Sequence, residues 1–194
     1  MIITEKSKLQ TICEKVETID EGDEIGAKLL KELIEHKRGI GLAANQVGIN
    51  KRVCVINVKE PIVLVNPRIV ETSEETFVFP EGCLSFPNKH IRTTRFVEIV
   101  VETDNHDSQL SFSADGEDVN DAFECACVQH EIDHTLGITM FDREYKPEPV
   151  KSDKLYGRNE KVTITDGKET KTLKYKKAQH LLNSDWELVG AFAS

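Results

Sequence analysis

The sequence predicts an α+β fold, with antiparallel strands around a central helix and a small hairpin-plus-helix appendage at the C-terminus. Three observations carry this expectation. Short β-branched runs such as Arg52–Val58 follow one another, with turn residues between them. One long helical stretch, about 119–136, comes after these strands rather than alternating with them, which disfavours a wound parallel sheet. The composition then changes past Pro147 and Pro149, which divides the chain into 1–146 and an accessory segment, 147–194.

The elements follow in order. Residues 24–37, EIGAKLLKELIEHK, place Ile25, Leu29, Leu33 and Ile34 on one helical stripe, with Asp20 or Asp23 as the cap and Gly39 as the stop. Strands are expected over 52–58, 61–65, 75–79, 96–103 and 109–113, with Asp104–Ser108 as a turn. The second helix opens near Asn120 or Asp121. In the accessory segment, KVTITDGKETKTLKY reads as a hairpin turning at Asp166-Gly167, followed by a short helix through Lys177 and Leu182.

Charge and length narrow the function. The 194 residues carry a net charge of −9; residues 1–150 hold 16 basic against 28 acidic residues and the remainder 9 against 6. An acidic body of this kind argues against direct DNA binding. No run approaches the roughly 20 apolar residues of a membrane span, and the charged start MIITEKSKLQ is no signal peptide, so a cytoplasmic protein is expected. Five cysteines, an odd number, point to free thiols or metal ligands rather than a disulfide framework.

The central helix carries the chemistry. His130-Glu131-Ile132-Asp133-His134 is an HExxH pentad. On a helix, residues i and i+4 differ by about 40° in direction and roughly 6 Å along the axis, so both imidazoles can reach one ion. Glu131 is turned about 100° from His130, which suits a group that addresses a water molecule rather than the ion. Phe123, Cys127, His130 and His134 share one helical face. A catalytic site needs a third ligand and an open position. Cys127 shares the ligand face but stands about 10 Å from His134 along the axis; Cys125 points away and reads as a buried thiol. Cys83, in Pro80-Glu81-Gly82-Cys83-Leu84-Ser85-Phe86-Pro87, sits in a segment read as a loop just beyond a strand, able to present its sulfur and nearby N–H groups to one spot. It is the better candidate.

A third segment, Gly39-Ile40-Gly41-Leu42-Ala43-Ala44-Asn45-Gln46, is glycine-rich without the lysine and serine of a phosphate loop. Taken in order, GIGLAANQ, EGCLS and QHEIDH resemble the peptide deformylases, over residues from about 5 to 145. The resemblance implies a metal-dependent hydrolase of protein biosynthesis that removes the N-terminal formyl group from formyl-methionyl nascent peptides. It implies that Cys83, His130 and His134 hold one divalent ion and that Glu131 is the acid–base. Gln46 and the N–H of Leu84 would stabilise the oxyanion. Gly41 and Gly82 would meet the substrate backbone, while Ile40, Phe123, Ala126 and Cys127 would line the methionine pocket. Affinity order alone favours zinc or copper; the family implies Fe(II), with Zn(II), Ni(II) or Co(II) able to occupy the site. His90, placed in a loop, would bear on the substrate's second or third position. Glu81, Arg95 and Asp133 would tie the ligand loop to the helix. Thr135 stands where the family more often has leucine, which predicts looser packing behind the metal.

The tail weakly resembles the zinc-binding tail of the bacterial preprotein-translocase motor but lacks its cysteines, so no second zinc is expected. Its +3 charge suggests docking on the ribosome or another partner. Two other readings are a formyl-peptide-binding module without turnover and a zincin-like endopeptidase; the second lacks a suitable downstream ligand.

Overall fold

The computed structural model describes residues 1–36, 39–147, 156–182, 184 and 186–189. In chain order the elements are α1 (Lys6–Leu9), α2 (Ile19–Glu35), β1 (Gly41–Ala43), β2 (Val53–Asn57), β3 (Pro61–Val65), β4 (Arg68–Thr72), β5 (Thr76–Cys83), β6 (Phe86–Phe96), β7 (Glu98–Glu102), β8 (Leu110–Ser113), α3 (Val119–Thr135), β9 (Lys161–Thr165), β10 (Thr170–Lys174), α4 (Tyr175–Leu182) and β11 (Glu187–Leu188). Short 3₁₀ turns follow β1 (Ala44–Val47) and α3 (Met140–Arg143). None of the described helices is long and apolar enough to cross a membrane. The chain divides into two compact units, Met1–Lys146 and Pro147–Ser194.

The first unit holds three antiparallel sheets, β1-β2-β3, β4-β7-β8 and the β5-β6 pair. Strand β2 is buried on both faces, because alternate side chains point opposite ways. Val53 and Val55 pack with Ile25, Leu29 and Leu33 of α2; Cys54 and Ile56 pack with Cys125, Cys127, Val128 and Ile132 of α3. Helix α2 lies close to β3, since a Cβ at Gly22 or Gly26 would run into Val65 or Val63. Helix α3 is thereby enclosed: every residue from Glu124 to Thr135 is buried.

Several details differ from the sequence reading. The α2 cap is Thr18, whose side chain accepts from the Glu21 N–H, in place of Asp20 or Asp23. That helix ends at Glu35 with His36 as its cap, before Gly39, and Ile34 points outward, 73% exposed. Asp118, rather than Asn120 or Asp121, caps α3 and accepts from Asn120 N–H. The segment read as a loop around Cys83 is a hairpin: β5 runs to Cys83, Gly82 opposes His90, and the register shifts between Gly82 and Cys83. His90 is therefore an exposed strand residue.

In the second unit β9 is the middle strand, flanked by β10 and β11. The hairpin turns at Asp166-Gly167, where Gly167 takes φ +81° and Asp166 Oδ1 accepts from the N–H groups of Lys168 and Glu169. Val162, Ile164 and Ala178 form its small core, covered by Tyr156, Leu173 and Trp186 among others.

Candidate active site

Helix α3 delivers His130 and His134 from successive turns, with ring centroids 4.8 Å apart. Strand β5 ends on Cys83, whose Sγ stands 3.3 Å from His134 Nε2. The candidate ligand atoms of Cys83, His130 and His134 all lie within 4.8 Å of one another. His130 Nδ1 is engaged by Glu81 Oε2 at 2.8 Å, which leaves Nε2 for an ion. One sulfur and two imidazoles with an open side fit a catalytic divalent metal. Cys127, the other sequence candidate, stands apart from this group: its Sγ donates to the Ile40 carbonyl at 3.5 Å.

Glu131 is the buried acid beside the cluster, 4% exposed. Burial raises its carboxyl to about 7 against the opposing pull of His130 and Arg95. Its Oε2 finds no hydrogen-bond partner among the described residues. Glu81 has the opposite fate. Burial pushes it up, but hydrogen bonds from His130 and Arg95 outweigh that and hold it at about 2. The thiol of Cys127 is driven well up by burial and then by the Glu131 charge, so it is a neutral wall.

Gln46 is held by two bonds of opposite sense. Its Oε1 accepts from Ala43 N–H at 2.8 Å, and this turns Nε2 toward Ser85 Oγ (3.1 Å) and Cys83 Sγ (3.4 Å). Asn45 Nδ2 donates to the His134 carbonyl at 2.7 Å and pins the end of α3. Thr135 is fully buried and its hydroxyl bonds the Ile132 carbonyl at 2.8 Å. The hydroxyl is thus satisfied inside the helix.

A cavity of about 420 Å³ opens beside these groups. Ile40, Gly41, Gly82, Phe123, Ala126 and Cys127 all line it, together with Gln46, Cys83, Leu84, His130 and Glu131. Gly41 leaves space for the acid: a Cβ there would lie 2.6 Å from Cys127 Sγ and 2.7 Å from Glu131 Oε1. His90 borders the same cavity, as does Phe79, which packs edge-on against Phe123 with centroids 5.0 Å apart. Phe79 escaped the sequence reading, although the alternation of Phe77, Phe79 and Glu81 places all three on one strand face. Ser85, a partner of Gln46, was quoted in a motif without a role.

Behind the candidate ligands Arg95 joins β5 to α3. It bonds Glu81 through Nε at 2.6 Å and through Nη2 at 3.0 Å, and Asp133 through Nη1 at 2.6 Å. Arg143, which carries no signal in one dimension, closes on the far side of Asp133.

Comparison with known proteins agrees with this geometry. The family model for polypeptide deformylase matches residues 1–150. A peptide deformylase of Rhizobium meliloti is 35% identical over 174 residues, covering 86% of this chain and 95% of its own. One from Natranaerobius thermophilus is 38% identical over 138 residues, covering 70% and 85%. Among solved structures, the Thermotoga maritima peptide deformylase is 32% identical with a TM-score of 0.64, over 75% of this chain and 97% of that one. The Synechococcus elongatus enzyme in complex with actinonin is 30% identical with a TM-score of 0.65, over 76% and 79%. Three candidate metal ligands, a buried acid and a cavity beside them thus occur within the matched region, and the chain belongs to the peptide deformylase family, hydrolases that remove the N-formyl group from nascent peptides.

Proposed function

We propose that this chain deformylates formyl-methionyl peptides with Cys83, His130 and His134 as metal ligands and Glu131 as the acid–base. The supporting observation is the Glu131 carboxylate, buried beside the three donor atoms, with one oxygen unpartnered among the described residues. A divalent ion held there supplies Lewis-acid polarisation of the reacting water and carbonyl. Glu131 accepts a proton from the water as its oxygen adds to the formyl carbon, then gives that proton to the peptide nitrogen as the C–N bond breaks. Formate and a free amino terminus result. The Gln46 amide and the Leu84 N–H donate to the formyl oxygen as charge develops on it. Gly41 and Gly82 let the substrate backbone come close; Ile40, Phe123, Ala126 and Cys127 take the methionine side chain and exclude water.

The native ion in this reading is Fe(II), with zinc, nickel or cobalt as substitutes for the same soft–borderline donor set. Protein purified without oxygen is expected to carry one equivalent of iron and to lose turnover in air. Cys83→Ala is expected to lose the metal; metal analysis of both proteins checks this, and full retention by Cys83→Ala would remove Cys83 from the ligand set.

The enzyme meets its substrates in the cytoplasm, and the accessory unit supports docking on the ribosome. In that unit Lys161 directly opposes Lys174 across the hairpin, a like-charge pair that is unfavourable without a counterion. Lys176 N–H bonds the Arg158 carbonyl, so Arg158 and Lys176 are adjoining residues. All four are exposed, and none has a carboxylate within 4.0 Å among the described residues. Co-sedimentation with ribosomes is expected to weaken on raising salt and to be lost on changing Lys161 and Lys174 to Glu. Unchanged sedimentation of that variant would refute the docking.

A further inference from the structure

Four charged side chains form an unbroken line from solvent to His130. Arg143 grips both oxygens of Asp133, Nε to Oδ2 at 3.0 Å and Nη2 to Oδ1 at 2.8 Å. Asp133 Oδ2 also accepts from Arg95 Nη1, Arg95 holds both oxygens of Glu81, and Glu81 Oε2 meets His130 Nδ1 at 2.8 Å. The signs alternate along the line. The Arg95, Asp133 and Glu81 side chains are 3%, 7% and 5% exposed; that of Arg143 is 41% exposed.

We infer that Arg143 is a positioning residue for the reaction, acting through Asp133, Arg95 and Glu81 on the orientation of His130. The inference rests on His130 being a metal ligand. A buried carboxylate needs its charge partners. With Arg143 in place, Asp133 is shared by two guanidinium groups, and Arg95 can commit its Nε and Nη2 to Glu81. Without Arg143, Asp133 has Arg95 alone and competes with Glu81 for it. Glu81 then slackens, and the Nδ1 bond that fixes the His130 ring slackens with it. Arg143 touches no substrate atom in this scheme; its effect travels through paired charges.

The surroundings of Arg143 make the idea testable by replacement of the lost group. Together with Thr76, Thr94, Arg95 and Phe96 it borders a cleft of about 270 Å³, roomy enough for a small guanidinium ion. Asp142 and Glu144 line it as well, and the Arg143 side chain spans from this cleft to Asp133, so removing that side chain opens a path from the cleft to the Asp133 carboxylate.

The experiment uses the full chain loaded with cobalt(II), whose visible spectrum reports ligand geometry. Direct outer partners of a metal-bound histidine cost about 10–100-fold in affinity or activity when changed. Arg143 stands further out, so Arg143→Ala is expected to weaken cobalt binding by roughly 3- to 10-fold, alter the cobalt bands, and lower kcat for a formyl-Met-Ala peptide by a similar factor with KM unchanged. Millimolar methylguanidinium should restore the spectrum and kcat. Arg143→Lys should restore them only in part, because an ammonium cannot grip both oxygens in a planar fork. If Arg143→Ala does not fold, Arg143→Gln carries the same comparison, with the melting of the metal-free protein as the check on folding. A folded variant with wild-type cobalt affinity, spectrum and kcat overturns the inference. A wild-type protein that binds no cobalt overturns the metal-site reading first, and this inference with it.

Discussion

Glu131→Gln is expected to lower kcat by about 10²- to 10⁴-fold while leaving the metal content and the fold unchanged. Glutamine keeps the length and shape of the side chain but cannot take a proton from water or return one to the departing nitrogen. The site gives reason to expect a clean result. Glu131 is buried and Oε2 has no partner among the described residues, so the amide breaks no hydrogen bond of that oxygen. The carboxyl stands at about 7, raised chiefly by burial, and a neutral amide avoids the cost of a buried charge. Stability should therefore hold or rise slightly. Steady-state formate release and thermal melting, measured on the same preparation, separate the two effects. A variant with turnover within tenfold of wild type would remove Glu131 from the acid–base role.

The second large effect is expected from Gly41→Val. A single added carbon at this position already comes within 2.7 Å of Glu131 Oε1 and 2.6 Å of Cys127 Sγ, well inside van der Waals contact. Both neighbours belong to α3, whose residues Glu124 to Thr135 are all buried, so its backbone has little room to retreat. The Glu131 carboxylate must then turn aside, and on the proposed reading the path for the substrate backbone closes. A displacement of about 1 Å in a catalytic group can cost 10²-fold, so kcat/KM should fall by at least roughly that factor. Metal content should be retained, because Cys83, His130 and His134 do not touch Gly41 in this way. Kinetics with a formyl-Met-Ala peptide and metal analysis test the point. Near-normal kcat/KM would show that the space beside Gly41 is not what keeps Glu131 in place.

How much of this was legible in the sequence follows from where each signal lies. The pentad was readable because helical geometry alone brings His130 and His134 onto one face, within reach of a single ion. Cys83 was readable only from its glycine and proline neighbours and from the family resemblance, since no local rule links it to a helix some fifty residues further on. The strands β1, β4 and β6 were missed for identifiable reasons. Gly41–Ala43 is too short and glycine-rich to alternate. Arg68–Thr72 is exposed on almost every side chain, so it has no apolar face to announce. Phe86–Phe96 reads NKHIRTTRF after its proline, and its two buried residues are Thr93 and Arg95. Polar groups that are buried because they bond Glu81 and Asp133 look like surface residues in one dimension. The same holds for α3: a helix enclosed on all faces needs no apolar stripe. Ile34 failed in the opposite sense, because it lies about 100° from Leu33 and was placed on a stripe wider than the face α2 buries. Arg143 had no local signal, and its partner Asp133 is found only by folding the chain past α3.

Formate release from a formyl-Met-Ala peptide by iron-loaded protein purified without oxygen separates a deformylase from the other readings of this site. The expected result is rapid release of formate together with a free amino terminus, no cleavage of the peptide's internal bond, and loss of release in both Cys83→Ala and Glu131→Gln. Iron-loaded wild type that holds its metal and releases no formate, or that cuts the internal bond of an unformylated peptide, would contradict it.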